Sequence, residues 1–348
     1  MSADALRERL RRLPKAELHC HLDGSVRPQT LLDLAAEYGT TMPATTAAEL
    51  RDYMRVADAR NLEDYLARFV TTLAVLQRAD ALERVAYELA EDASREGVRY
   101  IEVRYAPVLN TRESLSLEGA VEAAVRGLAR AERDHGIVGR VIVCALRHLS
   151  PAVSLELAEL AAAYRGRGVV GFDLAGGELG HPASDHAGAF LFAREHDLAC
   201  TCHAGEGDGA SSVRQALHRC GAHRIGHATR LIEDPALMEY VNDRRIPLEI
   251  CLTSNVQTRV ARSYETHPLR IYHDLGLPVV LNTDNRLMSD TTLTDEYVHA
   301  ATHLGFTVEE LGRVALTGFE SAFLPHAERQ ALIARVRGEI EVVSGAVL

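Results

Sequence analysis

Four side chains with the donor chemistry of a metal site fall at the ends of three predicted strands. His19 and His21 end the first strand, His203 ends the fifth, and Asp284 ends the eighth. Residues i and i+2 project from one face of a strand, so the imidazoles of His19 and His21 point the same way. Three imidazoles and one carboxylate suit a single divalent ion, and these ligand types favour zinc. We therefore predict one zinc ion per chain.

Two further polar residues stand beside this set and are not needed as ligands. Glu206 follows the fifth strand on a glycine turn, and His227 ends the sixth strand. A divalent ion lowers the pKa of a water molecule that it binds, and a neighbouring acid and imidazole can move the protons. The six residues together predict hydrolytic attack of an activated water on an electrophilic carbon.

The elements that must position these residues alternate between short apolar strands and amphipathic helices. Eight runs are predicted as strands: Ala16–His21, Val98–Ala106, Val138–Arg147, Val169–Leu174, Leu198–His203, His223–His227, Ile246–Leu252 and Leu277–Thr283. Most are nearly continuous apolar runs, which is typical of strands covered on both faces. Four helices carry clear start or stop signals: Pro28–Tyr38, Ala81–Glu96, Pro268–Leu275 and Thr292–Leu304.

Eight strand–helix units predict an α/β fold of the (β/α)8 TIM-barrel class, in which functional residues lie at the C-terminal ends of the strands. A doubly wound open sheet is the competing architecture, but no G-x-G-x-x-G follows the first strand. The segment Thr40–Asp80 is longer than one helix needs, so we expect extra helices between strands one and two. We expect residues 1–348 to form a single metal-dependent hydrolase barrel domain.

The charge of the chain disfavours two classes of binding partner. Lys and Arg total 38 against 49 Asp and Glu, a net charge of −11, so binding to nucleic acid or to anionic membranes is disfavoured. No apolar run approaches the ~20 residues of a membrane span, and the charged segment Met1–Pro14 does not resemble a signal peptide. The six cysteines form no C-x-x-C pair. We expect free thiols and a cytoplasmic location.

Other metal chemistries fit the sequence poorly. Binuclear hydrolases on this barrel use a carbamylated lysine at strand four, yet residues 171–178 contain none and Lys15 is the only lysine of the chain. The zinc-peptidase string H-E-x-x-H and the P-C-x-x-C part of the cytidine-deaminase signature are both absent. A mononuclear hydrolase is the remaining prediction.

The motifs of the chain resemble those of the adenosine deaminase family of metal-dependent amidohydrolases. In the family's order they are AELHCHLDG, EVRYAP, DLAG, HAGE, RIGHATR and NTDN, and the resemblance runs from Lys15 to about Phe323. It implies a (β/α)8 barrel and the same four zinc ligands. It also implies that Glu206 protonates purine N1, that His227 orients and deprotonates the attacking water, and that Asp284 helps to receive the water's proton.

The resemblance implies a substrate pocket as well. Gly176 matches the glycine whose backbone N–H contacts purine N3, Asp23 matches the carboxylate near the ribose hydroxyls, and residues 62–69 resemble an apolar lid. The predicted substrate contacts are His21, Asp23, Leu62, Tyr65, Phe69, Gly176 and Asn285, with Leu66 and Leu109 as further candidates for the pocket wall. At helical spacing Leu62, Tyr65, Leu66 and Phe69 share one face.

Asn285 departs from the family pattern, which usually has a second Asp there to bind purine N7. N7 is a hydrogen-bond acceptor, and an Asn amide donates to it without being protonated. The hydrogen bond to N7 can therefore still form with Asn285, but the replacement affects which purine the site recognises.

The function that the resemblance implies is hydrolysis of adenosine and 2′-deoxyadenosine to the inosine product and ammonia. The expected partner is therefore a small-molecule purine nucleoside. Alternatives are another 6-aminopurine, such as a 5′-substituted adenosine (aminodeoxyfutalosine) or adenine. A non-catalytic purine binder is disfavoured because all six strand-end residues are present.

Overall fold

The computed structural model describes residues 2–56 and 59–348. Eight parallel strands pair in chain order to form a barrel. Their bounds are β1 Lys15–His21, β2 Val98–Tyr105, β3 Val138–Leu146, β4 Val169–Ala175, β5 Ala199–Ala204, β6 Arg224–His227, β7 Leu248–Ile250 and β8 Val279–Leu281. The predicted (β/α)8 fold is therefore confirmed.

Helices cover the outside of the barrel. They are α1 Ala3–Arg12, α2 Pro28–Tyr38, α3 Ala47–Met54, α4 Leu62–Leu66, α5 Phe69–Leu73, α6 Ala79–Arg95, α7 Leu117–His135, α8 Pro151–Ala163, α9 Ala187–Glu195, α10 Ala210–His218, α11 Pro235–Asp243, α12 Leu252–Gln257, α13 Leu269–Asp274, α14 Leu293–Leu304, α15 Val308–Glu320 and α16 His326–Ser344. Within the described ranges, no helix is long and apolar enough to cross a membrane.

The predicted elements agree with the structure except at a few ends. Helix α2 has the predicted bounds, because Pro28 opens it and Gly39 closes it in the left-handed conformation. Strands β7 and β8 have only three residues each. Each is preceded by a proline, Pro247 or Pro278, which has no backbone N–H to give to a ladder.

The extra helices between β1 and β2 are α3, α4 and α5. The lid differs from its prediction in one respect. Residues 62–69 do not form one helical face, since they are divided between α4 and α5. The break comes at Ala67 and Arg68, where Arg68 N–H bonds to the carbonyl of Tyr65 in a tight turn. The following Val-Thr-Thr run has low helix propensity, which accounts for the short second helix.

Charged side chains fill part of the barrel interior. The two arginines Arg104 and Arg224 and the three acids Glu102, Asp173 and Glu249 are all fully buried. The Arg224 guanidinium bonds to Glu102 and lies 2.6 Å from Glu249 Oε1. Arg104 lies 2.9 Å from Glu249 Oε2 and 3.0 Å from Asp173 Oδ2. Each buried charge is therefore paired, which such charges require in a medium of low polarity.

Replacing Arg224 by Met should lower the free energy of unfolding by about 3–5 kcal/mol, because Glu102 and Glu249 would lose a buried cationic partner. The measurement is urea denaturation followed by circular dichroism. Arg313→Met is the control, because it removes an exposed pair with Glu309 and should cost far less. An equal loss of unfolding free energy in the two variants would contradict this prediction, because the buried network would then contribute no more than an exposed ion pair.

Candidate active site and metal centre

The four predicted metal ligands meet at the C-terminal end of the barrel. The donor atoms of His19, His21, His203 and Asp284 all lie within 4.8 Å of one another, and all four residues are buried. His21 Nε2 is 3.1 Å from His203 Nε2, and Asp284 Oδ1 is 3.3 Å from His21 Nε2. Within the described part of the chain, His19 Nε2 is buried and has no hydrogen-bond partner. Facing imidazole nitrogens around a carboxylate fit a divalent cation, whose ligands are neutral imidazole and carboxylate.

The backbone brings these donors together where β1 meets the segment after β8. Cys20 pairs with Asp284 in an isolated parallel bridge, so the aspartate lies between the two histidines that flank Cys20. Asp284 has a φ of 62°, in the left-handed region that side-chain-bearing residues seldom adopt. His227 has a φ of 61°. Such backbone strain is concentrated at functional sites, where the surrounding structure enforces it.

Buried carboxylates orient two of the histidines from behind. Glu249 Oε2 is 2.9 Å from His19 Nδ1, and Asp173 Oδ2 is 3.1 Å from His203 Nδ1. Each carboxylate accepts the Nδ1 proton, so the Nε2 lone pair faces the centre of the cluster. Neither acid was predicted as a site residue, although a charged residue inside an apolar strand is a signal that could have indicated it.

The carboxylate of Asp284 is itself held by a neighbour. Ser254 Oγ donates to Asp284 Oδ2 at 2.6 Å, while Oδ1 lies 3.3 Å from His21 Nε2 and 3.5 Å from His19 Nε2. One oxygen is thus engaged by the protein, and the other faces the histidine cluster.

Glu206 and His227 lie beside the cluster. The nearest atoms of Glu206, His227 and Asp284 lie within 4.8 Å of one another, and His227 Nε2 is 3.4 Å from Glu206 Oε2. Burial raises the pKa of Glu206 well above its ordinary value, and the nearby carboxylates of Asp284 and Glu178 raise it further. A carboxyl group in this setting can act as a proton donor near neutral pH.

The loop that carries Glu206 is organised by another buried carboxylate, Glu178, which follows β4. Its two oxygens accept the backbone N–H groups of four consecutive residues, 205–208, at distances of 2.6 to 3.0 Å. The hydroxyl of Ser212 donates to the same carboxylate. Sequence reasoning missed Glu178, because nothing in its local pattern distinguishes it from a solvated loop acid.

A cavity of about 320 Å³ opens in front of the cluster. All seven predicted substrate contacts line it: His21, Asp23, Leu62, Tyr65, Phe69, Gly176 and Asn285. Leu66 and Leu109 line it too, and the wall is mainly apolar. A mostly apolar cavity with a few converging polar groups is the usual form of a small-molecule site.

Glycines shape this cavity at two places. Gly176 has a φ of 95°, which a residue with a Cβ adopts only under strain. A Cβ built on Gly24 would lie 1.7 Å from Asn285 Oδ1, so only glycine lets Asn285 take its position.

Two polar atoms of the pocket are buried and have no hydrogen-bond partner among residues 2–56 and 59–348. They are Asp23 Oδ1 and Asn285 Oδ1. Burial raises the pKa of Asp23 to about 7.

Comparison with known proteins identifies the family. The model of the adenosine deaminase family matches residues 14–339. Adenosine deaminase 1 of Streptomyces coelicolor is 44% identical over 344 residues, covering 94% of this chain and 86% of the relative. The range matched by the family model includes every strand of the barrel and every predicted site residue.

Solved structures of similar proteins support the same family assignment. An adenine deaminase from Arthrobacter aurescens superposes with a TM-score of 0.88 at 28% identity, covering 94% of this chain and 99% of that one. An amidohydrolase from Burkholderia ambifaria with bound Zn gives a TM-score of 0.89 at 28% identity, covering 99% and 94%. The chain therefore belongs to the adenosine deaminase family of enzymes.

Proposed function

We propose that this protein hydrolyses adenosine and 2′-deoxyadenosine to inosine or 2′-deoxyinosine and ammonia, with one zinc ion per chain. One observation carries the proposal: a mainly apolar cavity ends on a buried acid, an imidazole and a cluster of metal donors. The similarity to adenosine deaminase 1 of Streptomyces coelicolor supports adenosine as the substrate.

The proposed zinc ligands are His19, His21, His203 and Asp284. The ligand types suit zinc, and the zinc-containing amidohydrolase of similar fold supports that choice. When bound, the ion supplies Lewis acidity that lowers the pKa of water toward neutrality. The protein's own part is to hold the imidazoles in one orientation, which Glu249 and Asp173 do from behind.

Glu206 is the proton donor in this proposal. Its burial and the nearby carboxylates of Asp284 and Glu178 raise its pKa well above the ordinary value, which favours the protonated form. It donates to N1 of the purine ring, which makes C6 more electrophilic. His227 orients the attacking water, and Asp284 takes one of its protons as the oxygen adds to C6. That proton then passes to the amino nitrogen, the bond between C6 and this nitrogen breaks, and ammonia leaves. The remaining hydroxyl proton at C6 returns to the Glu206 carboxylate, which leaves the C6 carbonyl of the product.

The remaining pocket residues bind the nucleoside. We assign the Gly176 N–H to N3 and the Asn285 amide to N7, an acceptor that an amide can serve at any pH. Asp23 is assigned to the ribose hydroxyls, since its Oδ1 is buried without a partner. The cavity volume of about 320 Å³ is at the lower end of the roughly 300–1000 Å³ of ligand sites, which favours a nucleoside over a larger substrate.

We also propose that residues 1–348 act as one barrel domain in the cytoplasm. Helices α1 and α16 contact each other, because Arg9 Nε donates to the carbonyl of Val343 at 2.6 Å. All six cysteines are free and buried, which suits a reducing compartment.

An ammonia-release assay on zinc-quantified protein tests the substrate assignment. Adenosine, 2′-deoxyadenosine, adenine and a 5′-substituted adenosine are compared at equal concentration. We expect rapid turnover of the first two, because the apolar wall formed by α4 and α5 packs against a nucleoside. Turnover of adenine alone, or of the 5′-substituted compound alone, would contradict the assignment and move the enzyme to that substrate.

Glu206→Gln should keep zinc bound and reduce kcat by roughly 10²- to 10⁴-fold, because the amide cannot supply the proton that N1 needs. Glu156→Gln, an exposed change on α8, is the matched control and should leave kcat unchanged. Near-normal turnover by Glu206→Gln would remove the residue from the acid role.

Asp284→Ala should lower zinc affinity by roughly tenfold or more, because one of four donors is lost. Zinc is measured by elemental analysis after dialysis against a weak chelator, with the exposed Asp243→Ala as control. Full zinc retention by Asp284→Ala would exclude its ligand role.

A further inference from the structure

A line of three hydrogen bonds runs away from the active site behind His227. Asn255 Nδ2 is 3.0 Å from His227 Nδ1, and Asn255 Oδ1 is 3.1 Å from His267 Nε2. The backbone N–H of Leu269 then donates to His267 Nδ1 at 3.0 Å. Asn255 and His267 are both buried, so water does not compete for these bonds.

The backbone amide of Leu269 fixes the direction of the whole line. An N–H group can only donate, so His267 Nδ1 must accept and carries no proton. Burial lowers the pKa of His267 to about 3, which makes its ring neutral with its one proton on Nε2. That proton is donated to Asn255 Oδ1, and the NH2 group of Asn255 therefore faces His227 Nδ1 as a donor.

The opposite orientation of the Asn255 amide is chemically excluded. With the amide reversed, its NH2 group would face His267 Nε2, and both nitrogens of His267 would have to accept. A neutral imidazole always keeps one N–H, so this arrangement cannot exist. The direction thus follows from the backbone donor, independently of how the oxygen and nitrogen of the amide are assigned.

We propose that Asn255 and His267 are positioning residues that hold His227 with its proton on Nε2, so that His227 meets the attacking water as a hydrogen-bond donor. The inference rests on the proposed deaminase function. His227 lines the cavity, and among the described residues its buried Nε2 has no hydrogen-bond partner, the nearest Glu206 oxygen being 3.4 Å away. It is therefore free to donate to a water molecule.

This assignment divides the roles that family resemblance gives to His227. An Nε2–H group can orient the water oxygen, but it has no lone pair with which to take a proton. A doubly protonated His227 is also disfavoured, because its Nδ1–H would face the NH2 group of Asn255 at 3.0 Å. The water's proton must then pass to a carboxylate, and Asp284 lies in the same cluster as His227.

Asn255→Asp replaces the NH2 donor that faces His227 with a carboxylate oxygen, which can only accept, and it changes the shape of the side chain little. A carboxylate still accepts from His267 Nε2, but it also accepts from His227 and so draws the His227 proton to Nδ1. We expect kcat to fall by roughly 100-fold or more, since a wrong histidine tautomer is costly in catalysis. KM and zinc content should stay within about threefold of wild type, because binding groups are untouched. Asn242→Asp, on α11, controls for the added charge.

The direct readout is nitrogen-15 NMR of the histidine-labelled, zinc-loaded enzyme, with the His227 signals assigned by their loss in His227→Gln. We expect a protonated Nε2 and an unprotonated Nδ1 in wild type, and a protonated Nδ1 in Asn255→Asp. His267→Gln keeps an N–H donor toward Asn255 and should retain more activity than His267→Ala.

Two results would overturn the inference: a proton on Nδ1 in the wild-type enzyme, or an unchanged or higher kcat in Asn255→Asp. Failure of the proposed function is distinguishable, because it appears as no deamination by the wild-type enzyme. The NMR spectrum reports the tautomer in either case, so an Nε2 proton without turnover would uphold the hydrogen-bond direction and reject the substrate.

Discussion

The pairing of the first strand with the segment after the last strand is the constraint on which the site depends. His21 N–H donates to the Asp284 carbonyl at 2.7 Å, and Asp284 N–H donates to the His19 carbonyl at 2.9 Å. These two bonds close the barrel and also place three metal donors side by side. The same pair of bonds therefore joins the ends of the barrel, positions the donors and holds the left-handed backbone of Asp284.

The barrel interior ties the stability of the fold to the orientation of the donors. Glu249 accepts from Arg224 and Arg104 on one side and contacts His19 on the other. Arg104 continues through Asp173 to His203. These buried charges thus form one connected set, which runs from Arg224 at the start of β6 to His203 in the proposed metal centre. Such a network is costly to bury unless every member is paired, and this requirement fixes the imidazole orientations.

The two groups beside the metal donors are supported in different ways. Glu178 binds four successive backbone N–H groups of the loop that carries Glu206, so the acid is held through its main chain. His227 is held through its ring by Asn255. In the proposed mechanism both groups present a proton to the cavity, one to the purine ring and one to water. Asp284 is then the proposed proton acceptor, and its other oxygen accepts a hydrogen bond from Ser254.

The sequence alone determined the barrel and the extra helices, because hydrophobic periods are local patterns. It also predicted which donor and pocket side chains would meet, because a barrel gathers all strand ends at one face. It did not determine the partners of those residues. His19 and Glu249 are 230 positions apart, and Glu178 reaches a loop 27 to 30 positions away. The direction of the bonds behind His227 depends on one backbone N–H at Leu269. Contacts between distant segments have no local signature, so only the tertiary structure decided them.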